Sequence, residues 1–290
     1  MALWQLLLQK PNTTKTTTSA SNDYYSVCLT SMQGWRLTME DTSCLYLDIP
    51  NDSTNTMMIG VFDGHGGISI AEYVSKHLHK FIMKQPEYKD NIKKAISKGF
   101  AEIDAKMRKD RPDDPSGCTA ITIFIRDNML YCANVGDSRA IAYENGRTIP
   151  LSYDHKPTIP MEYKRIIEAG GWVEAERVNG SLALSRALGD FQFKGGVSLR
   201  PEQQIVSCMP DIITKKLDKN WKFVLLACDG IWEVMSNEKV GEFVRYRLNE
   251  GMPLEKICES LMNACLAPRT EGSCLGCDNM TVGLVVFKWA

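Results

Sequence analysis

Met57-Met58-Ile59-Gly60-Val61-Phe62-Asp63-Gly64-His65-Gly66-Gly67 begins as an apolar run too short for a helix and ends in acid, glycine and histidine. Such a run reads as a buried strand, and the amphipathic spacing of residues 68–83 behind it reads as a helix. A strand-to-helix turn therefore presents Asp63. Residues 222–228 repeat the arrangement, a buried strand delivering Asp229-Gly230, and a last strand over Met280–Phe287 follows Asp278-Asn279. Acids recur where strands begin or end.

Between these segments, residues 120–125 and Met129–Val135 are β-rich runs joined by Arg126-Asp127-Asn128. Residues 140–143 and 148–151 flank Glu144-Asn145-Gly146-Arg147, whose Asn-Gly pair predicts a tight hairpin. Helices are expected near 89–108, 161–169, 236–249 and 253–267, the last with proline at a permitted first-turn position. Hairpins with segregated helices indicate an α+β fold rather than alternating β-α-β units. No composition break divides the chain, so residues 23–290 read as one domain. Residues 1–22, rich in Thr and Ser, read as a flexible tail.

Composition narrows the partners. The 290 residues are 44% hydrophobic and 24% charged, and no segment reaches the ~18 consecutive apolar residues of a membrane span. A net charge of −1 supplies no global field for nucleic acid or anionic lipid, so neither nucleic acid nor membrane is expected as a partner. The ten cysteines are scattered and mostly in apolar stretches, which favours a reducing compartment. Cys274-x-x-Cys277 lacks the second pair that a zinc site requires. A monomer is the default without a heptad pattern. The cytoplasm is the expected location, with the nucleus and mitochondrial import left open.

The chemistry-bearing stretches are Arg36-x-x-x-Glu40-Asp41, Asp63-Gly64-His65-Gly66-Gly67, Gly136-Asp137-Ser138-Arg139, Asp229-Gly230 and Asp278-Asn279. Alone, each Asp-Gly pair is an ordinary turn, and His65 can be a turn residue too. Several carboxylates gathered at strand ends repel one another and call for a cation, and all-oxygen donors select Mg²⁺ or Mn²⁺. Two such ions ~3.5–4 Å apart lower the pKa of a bridging water and clamp an in-line displacement, for which phosphate hydrolysis is the natural use. Arg36 suits bidentate phosphate binding and His65 the protonation of a departing alkoxide.

With these stretches in place, the chain resembles the metal-dependent, type 2C protein phosphatases. The likeness covers residues 24–288. It is carried by Met32-Gln33-Gly34-Trp35-Arg36 with Met39-Glu40-Asp41, by Val61 through Gly67, and by Ala133 through Ala140. It continues in Leu151-Ser152-x-Asp154-His155-Lys156-Pro157, Glu168-Ala169-Gly170-Gly171, Leu182 through Asp190, Ala227 through Glu233, and Asp278-Asn279-Met280-Thr281. The resemblance implies a β-sandwich of two antiparallel sheets flanked by helix pairs, a four-layer α/β/β/α arrangement with the metals at one end.

It further implies hydrolysis of phosphoserine and phosphothreonine in phosphorylated proteins by a water or hydroxide bridging two Mg²⁺ or Mn²⁺ ions. Asp63 would bridge both metals, with Asp229 and Asp278 on one and the Gly64 carbonyl on the other. Glu40 and Asp41 would act mainly through metal-bound waters, and Asp137 with Asp229 would form a weaker third site. Arg36 would hold the substrate phosphate and His65 would be the general acid. Cys118 stands where the family often has Ser, either as a core replacement or as a redox-sensitive thiol, and Glu233 where many members have Asp.

Three rival readings are weighed on sequence grounds. A catalytically dead member serving as a binding module would lack ligands, yet all are present. A cysteine-nucleophile phosphatase would need Cys-x5-Arg, and a P-loop enzyme its glycine-rich signature; both motifs are absent. Residues 158–199 are expected to form a flap beside the metals, where Arg177 and Lys194 are candidates for docking acidic phosphoproteins.

Overall fold

The computed structural model describes residues 7–196, 198–270 and 275–289. In chain order, β1 (Leu7–Ser21), β2 (Tyr25–Arg36), β3 (Thr42–Tyr46), β4 (Met57–Phe62) and β5 (Gly64–His65) precede α1 (Ser69–Met83) and α2 (Ile92–Asp110). Then come β6 (Gly117–Cys118), β7 (Ala120–Arg126), β8 (Met129–Val135), β9 (Arg139–Glu144), β10 (Arg147–Pro150) and α3 (Pro160–Glu168). The remainder is β11 (Val173–Glu174), β12 (Arg177–Val178), β13 (Leu188–Gly189), β14 (Asp211–Lys216), β15 (Trp221–Ala227), α4 (Asp229–Trp232), α5 (Asn237–Asn249), α6 (Leu254–Cys265) and β16 (Met280–Phe287).

Two antiparallel sheets stack face to face. One has the order β1-β2-β16-β15-β9-β10 and the other β14-β8-β7-β4-β3. Side chains alternate across a strand, and β4 shows the result: Met57, Ile59 and Val61 enter the core between the sheets. Met58 and Phe62 face the other way, against Ile70, Val74 and Leu78 of α1 and Ile96 and Phe100 of α2. Strand β15 divides in the same manner, with Val224 and Leu226 between the sheets and Phe223 and Leu225 packed against α5 and α6 through Val240, Val244, Ile257 and Leu261. The layers are thus α1/α2, five strands, six strands, α5/α6, the α+β sandwich that the resemblance implies.

Both central strands are buried on both faces, so each reads as a continuous apolar run rather than an alternation. Their ends open at one edge of the sandwich, where Asp63 and Asp229 emerge. Helix α2 starts where the Asn91 side chain accepts from Lys94 N at 3.0 Å, the usual cap for an otherwise orphaned donor.

The tail expected over residues 1–22 is corrected for its described part. Leu7–Ser21 forms β1 and pairs antiparallel with β2 from Leu7↔Arg36 to Ser21↔Ser26. The threonines, read with serine as marks of disorder, here have the β-branched fit to a half-exposed edge strand, and Lys15 Nζ donates to Asn263 Oδ1 at 2.7 Å, tying the strand to α6.

Residues between β10 and β14 carry a small core of their own, Ile166, Val178, Ala187, Phe193 and Val206, with α3 and the β11–β12 ribbon. Arg177, a docking candidate, is exposed and donates to Ser181 O at 2.7 Å. Lys194, the other, is corrected: its side chain is 2% exposed and bound to Asp104 at 2.8 Å. Cys277 is buried, and Cys274 of the Cys-x-x-Cys pair lies outside the described residues. No helix among the described residues is long and apolar enough to cross a membrane.

Candidate active site

The site is assembled at the ends of β4, β8, β15 and β16 and the turn after β2. Asp63 leaves β4 with its N–H donating to Thr119 Oγ1 at 3.1 Å, while Thr119 N donates back to Asp63 O at 2.9 Å. This reciprocal pair fixes the turn backbone. Behind it, Thr119 and Ser138 hydroxyls are 2.7 Å apart, so the turn that carries Asp137 is joined to the same network. Gly64 follows Asp63 because a Cβ there would stand 2.4 Å from the Glu40 carbonyl oxygen.

Glu40 accepts from Gly67 N at 3.1 Å and from Thr38 Oγ1 at 2.9 Å. Its own N–H donates to Asn279 Oδ1 at 2.9 Å. The Asn279 amide donates to Gln33 O and Thr38 O at 2.8 and 2.9 Å. One side chain thereby ties residues 33–40 to the start of β16. Arg36 Nη2 donates to Asp278 Oδ2 at 2.5 Å, and Lys156 pairs with Asp137.

Asp41 is the most revealing carboxylate. Its Oδ2 accepts from Thr281 Oγ1 at 2.7 Å, yet its buried Oδ1 has no hydrogen-bond partner among the described residues, a costly state unless something binds there. Ligand atoms of Asp41, Asp63 and Cys228 lie within 4.8 Å of one another. Burial, set against its hydrogen bonds, pushes the Asp41 carboxyl up to about 6. Asp63 is pushed well above the carboxylate range by burial and then by Asp229, Asp41, Asp137 and Asp278. Asp229 is raised likewise, by burial followed by Asp137, Asp278, Glu233 and Asp41. These acids share one desolvated field with too little positive charge in it.

Whether divalent metal fits can be decided from the donors. The Cys228 sulfur is engaged within the protein: Thr281 N donates to it at 3.1 Å and its S–H donates to Asn279 O at 3.4 Å, while burial and then the surrounding aspartates push its pKa well up. A soft thiolate ligand is therefore missing, and the remaining donors are carboxylate and carbonyl oxygens, the set for Mg²⁺ or Mn²⁺ rather than zinc. An orphaned buried oxygen within a self-repelling acidic cluster fits a hard cation.

His65 lies at the rim with Nε2 2.7 Å from Asp190 Oδ2. Burial lowers its basicity, but the Asp190 hydrogen bond and charge outweigh burial and leave the imidazole raised. His155 supports the opposite side: Gly136 N donates to its Nδ1 at 3.1 Å, so Nε2–H faces Asp211 Oδ2 at 3.2 Å. Cys118 is fully buried, with its thiol pushed well up by burial and then Asp190, which makes it a packing residue rather than a reactive thiol.

Every sequence-derived site residue therefore arrives at this end of the sandwich. Arg36, Glu40, Asp41, Asp63, Gly64, His65, Asp137, Asp229 and Asp278 form one connected set. The sequence reading assigned no role to Asn279, Thr281, Thr119, Lys156 or Asp190. All sit inside or beside quoted motifs, but their partners are distant in sequence and no spacing rule reveals them.

A family model described as protein phosphatase 2C matches residues 25–274. The chain belongs to the protein phosphatase 2C family. A probable protein phosphatase 2C of Caenorhabditis elegans is 49% identical over 96% of this chain and 79% of its own length. Protein phosphatase 2C homolog 2 of Schizosaccharomyces pombe is 44% identical, over 97% of this chain and 78% of its own. A crystal structure of a phosphatase from a pathogenic strain of Toxoplasma gondii superposes with a TM-score of 0.80 at 27% identity, covering 94% of this chain and 96% of that one. As a protein phosphatase 2C, the chain is a hydrolase of the metal-dependent serine/threonine phosphatase class.

Proposed function

We propose that this phosphatase hydrolyses phosphoserine and phosphothreonine esters in proteins at a centre holding two Mg²⁺ or Mn²⁺ ions. The observation that carries the reading is the buried Asp41 oxygen, without a hydrogen-bond partner among the described residues, beside Asp63 within a field of repelling carboxylates. Asp63 would touch both ions, Asp229 and Asp278 one of them, and the Gly64 carbonyl the other, with Glu40 and Asp41 holding the hydration shell. Asp137 and Asp229 would hold a weaker third ion. When bound, the ions supply an activated water and offset charge on the phosphoryl oxygens.

The protein's own groups do the rest. Arg36, half exposed and now donating to Asp278, has guanidinium N–H groups left over for the substrate phosphate, where a fork can hold two oxygens. His65, whose charged form Asp190 favours, would give a proton to the departing serine or threonine oxygen.

Purified protein is expected to release phosphate from p-nitrophenyl phosphate and from a phosphothreonine peptide, to lose both activities in EDTA, and to regain them with added Mg²⁺ or Mn²⁺. Activity that persists in EDTA with all metal removed would refute the two-metal reading.

Changing His65 separates proton donation from binding. His65→Ala should lower kcat on the peptide by about 10²–10⁴-fold, the usual worth of a general acid, and p-nitrophenyl phosphate turnover much less, because nitrophenolate leaves without a proton. Equal losses on the two substrates would remove His65 from that role.

A further inference from the structure

Asp190 is held as though its carboxylate had one task. It is 2% exposed overall and has φ 50° following Gly189 at φ 79°, so the chain turns through the left-handed region to present it. Strand β13 pairs with β6 through Leu188↔Cys118 and Gly189↔Gly117. On its other side β6 pairs with β5 through Gly64↔Cys118 and His65↔Gly117. Three two-residue strands thus bring Asp190 and His65 together across Gly117. A Cβ at Gly117 would lie 2.2 Å from Asp190 Oδ2 and 2.6 Å from His65 Nε2, so glycine is what allows the two side chains to meet.

The turn is anchored from behind. Asp190 N donates to Ser116 O at 3.1 Å. Asp104 Oδ1 on α2 accepts from Gly189 N at 2.9 Å and from Lys194 Nζ at 2.8 Å, and Lys194 donates also to Ala187 O at 2.9 Å. Both charged side chains are buried. A buried pair whose members are each also hydrogen-bonded to backbone resists rearrangement, because freeing either member strands a charge away from water.

We propose that Asp190 is a positioning residue for His65, clamped in turn by Asp104 and Lys194, and that it assigns the two ring nitrogens. A carboxylate accepts only, so Nε2 carries a proton whether the ring is neutral or charged. Nδ1, which has no hydrogen-bond partner among the described residues, then delivers the catalytic proton. The imidazolium loses the Nδ1 proton to the leaving oxygen and becomes the neutral Nε2–H form, still bonded to Asp190. This rests on His65 being the proton donor.

The test uses Asp190→Asn, whose side chain tolerates the left-handed backbone but whose amide can donate to Nε2. In ¹⁵N-histidine NMR of the full chain above its titration range, the parent should show His65 as the Nε2–H form, and the variant should shift toward Nδ1–H. The variant's kcat should fall about 10- to 100-fold on the phosphothreonine peptide, the size seen when a histidine loses its orienting partner, with a change below about threefold on p-nitrophenyl phosphate, where protonation matters little. Combined with His65→Ala it should add nothing further.

An unchanged tautomer in Asp190→Asn, equal losses on both substrates, or losses that multiply in the double variant would each overturn the proposal. If His65→Ala itself spares the ratio of the two activities, the proton-donor reading fails instead, and the NMR signature still decides what Asp190 does. Asp190→Ala, which removes the acceptor outright, gives the same readouts with a mixed tautomer if the asparagine variant does not fold.

Discussion

Asp63→Asn is expected to lower kcat/KM by at least about 10³-fold on any phosphoester, more than the ~10²–10³-fold that follows loss of a single oxyanion donor. The substitution keeps the size and hydrogen-bonding outline of the side chain while removing the charge that would face two cations. It should also stabilise the metal-free fold. Asp63 is buried among Asp229, Asp41, Asp137 and Asp278, all of which raise its pKa, so its ionised form is repelled in the folded state more than in the unfolded chain. In EDTA at pH 7.5 the variant should melt above the parent, and added Mg²⁺ should raise the parent's Tm more than the variant's. A variant that melts below the parent in EDTA would contradict the repulsion.

The sign of the pH dependence agrees. Asp41 has a folded value of about 6 against 3.8 ordinarily. An acid raised on folding costs stability while ionised, so its penalty is full above pH 6, fades between 6 and 3.8, and vanishes below, where both states hold the proton.

Glu162→Ala is the substitution expected to cost the most stability. The Glu162 carboxylate, 3% exposed, accepts from Arg165 Nη1 at 2.6 Å, Arg186 Nη2 at 2.7 Å and Ser185 Oγ at 2.7 Å. Truncation leaves two largely buried guanidinium groups without it; Arg186 retains Asp211 at 2.8 Å, but Arg165 is left with carbonyls alone. Removing one member of a buried ion pair typically costs about 3–5 kcal/mol, measurable by denaturant unfolding.

Burial tends to raise the Glu162 pKa, but Arg186 and Arg165 pull it to about 2, below its ordinary 4.5. A depressed acid contributes stability in full above the unfolded value and loses it as the pH falls through the folded one. The gap between parent and variant should therefore be constant above about pH 5 and close toward pH 2. A gap independent of pH throughout would show that the charge is not what matters.

How much could be read in the sequence depended on where each strand's burial left a mark. Strands β4, β15 and β16 are apolar on both faces and stood out, and with them the positions of Asp63, Asp229 and Asp278. Strand β2 did not: Ser26, Thr30, Ser31 and Gly34 interrupt its pattern, although Thr30 is fully buried and reaches Thr17 Oγ1 at 3.2 Å across the sheet. Strand β14 is an exposed edge ending in two lysines, where period-2 hydrophobicity has no reason to appear.

Within the site, ligand candidates were legible because acid beside glycine at a strand end is a local pattern. Asn279 was not, since its meaning lies in carbonyls of residues 33 and 38. Lys194 was misread for the same reason: a lone lysine looks like surface until its partner, Asp104, is located 90 positions earlier.

The place of β16 bears on how the protein is made. It lies between β2 and β15 in the six-stranded sheet, although it follows both in sequence. A nascent chain whose ribosome has not yet released residues 280–287 holds two unpaired inner edges, with no Asp278 beside Arg36. Such edges are templates for pairing between chains, and long-range strand closure is slow. The catalytic centre and the protection of the sheet against aggregation therefore arrive together, in the single step that seats β16 between β2 and β15.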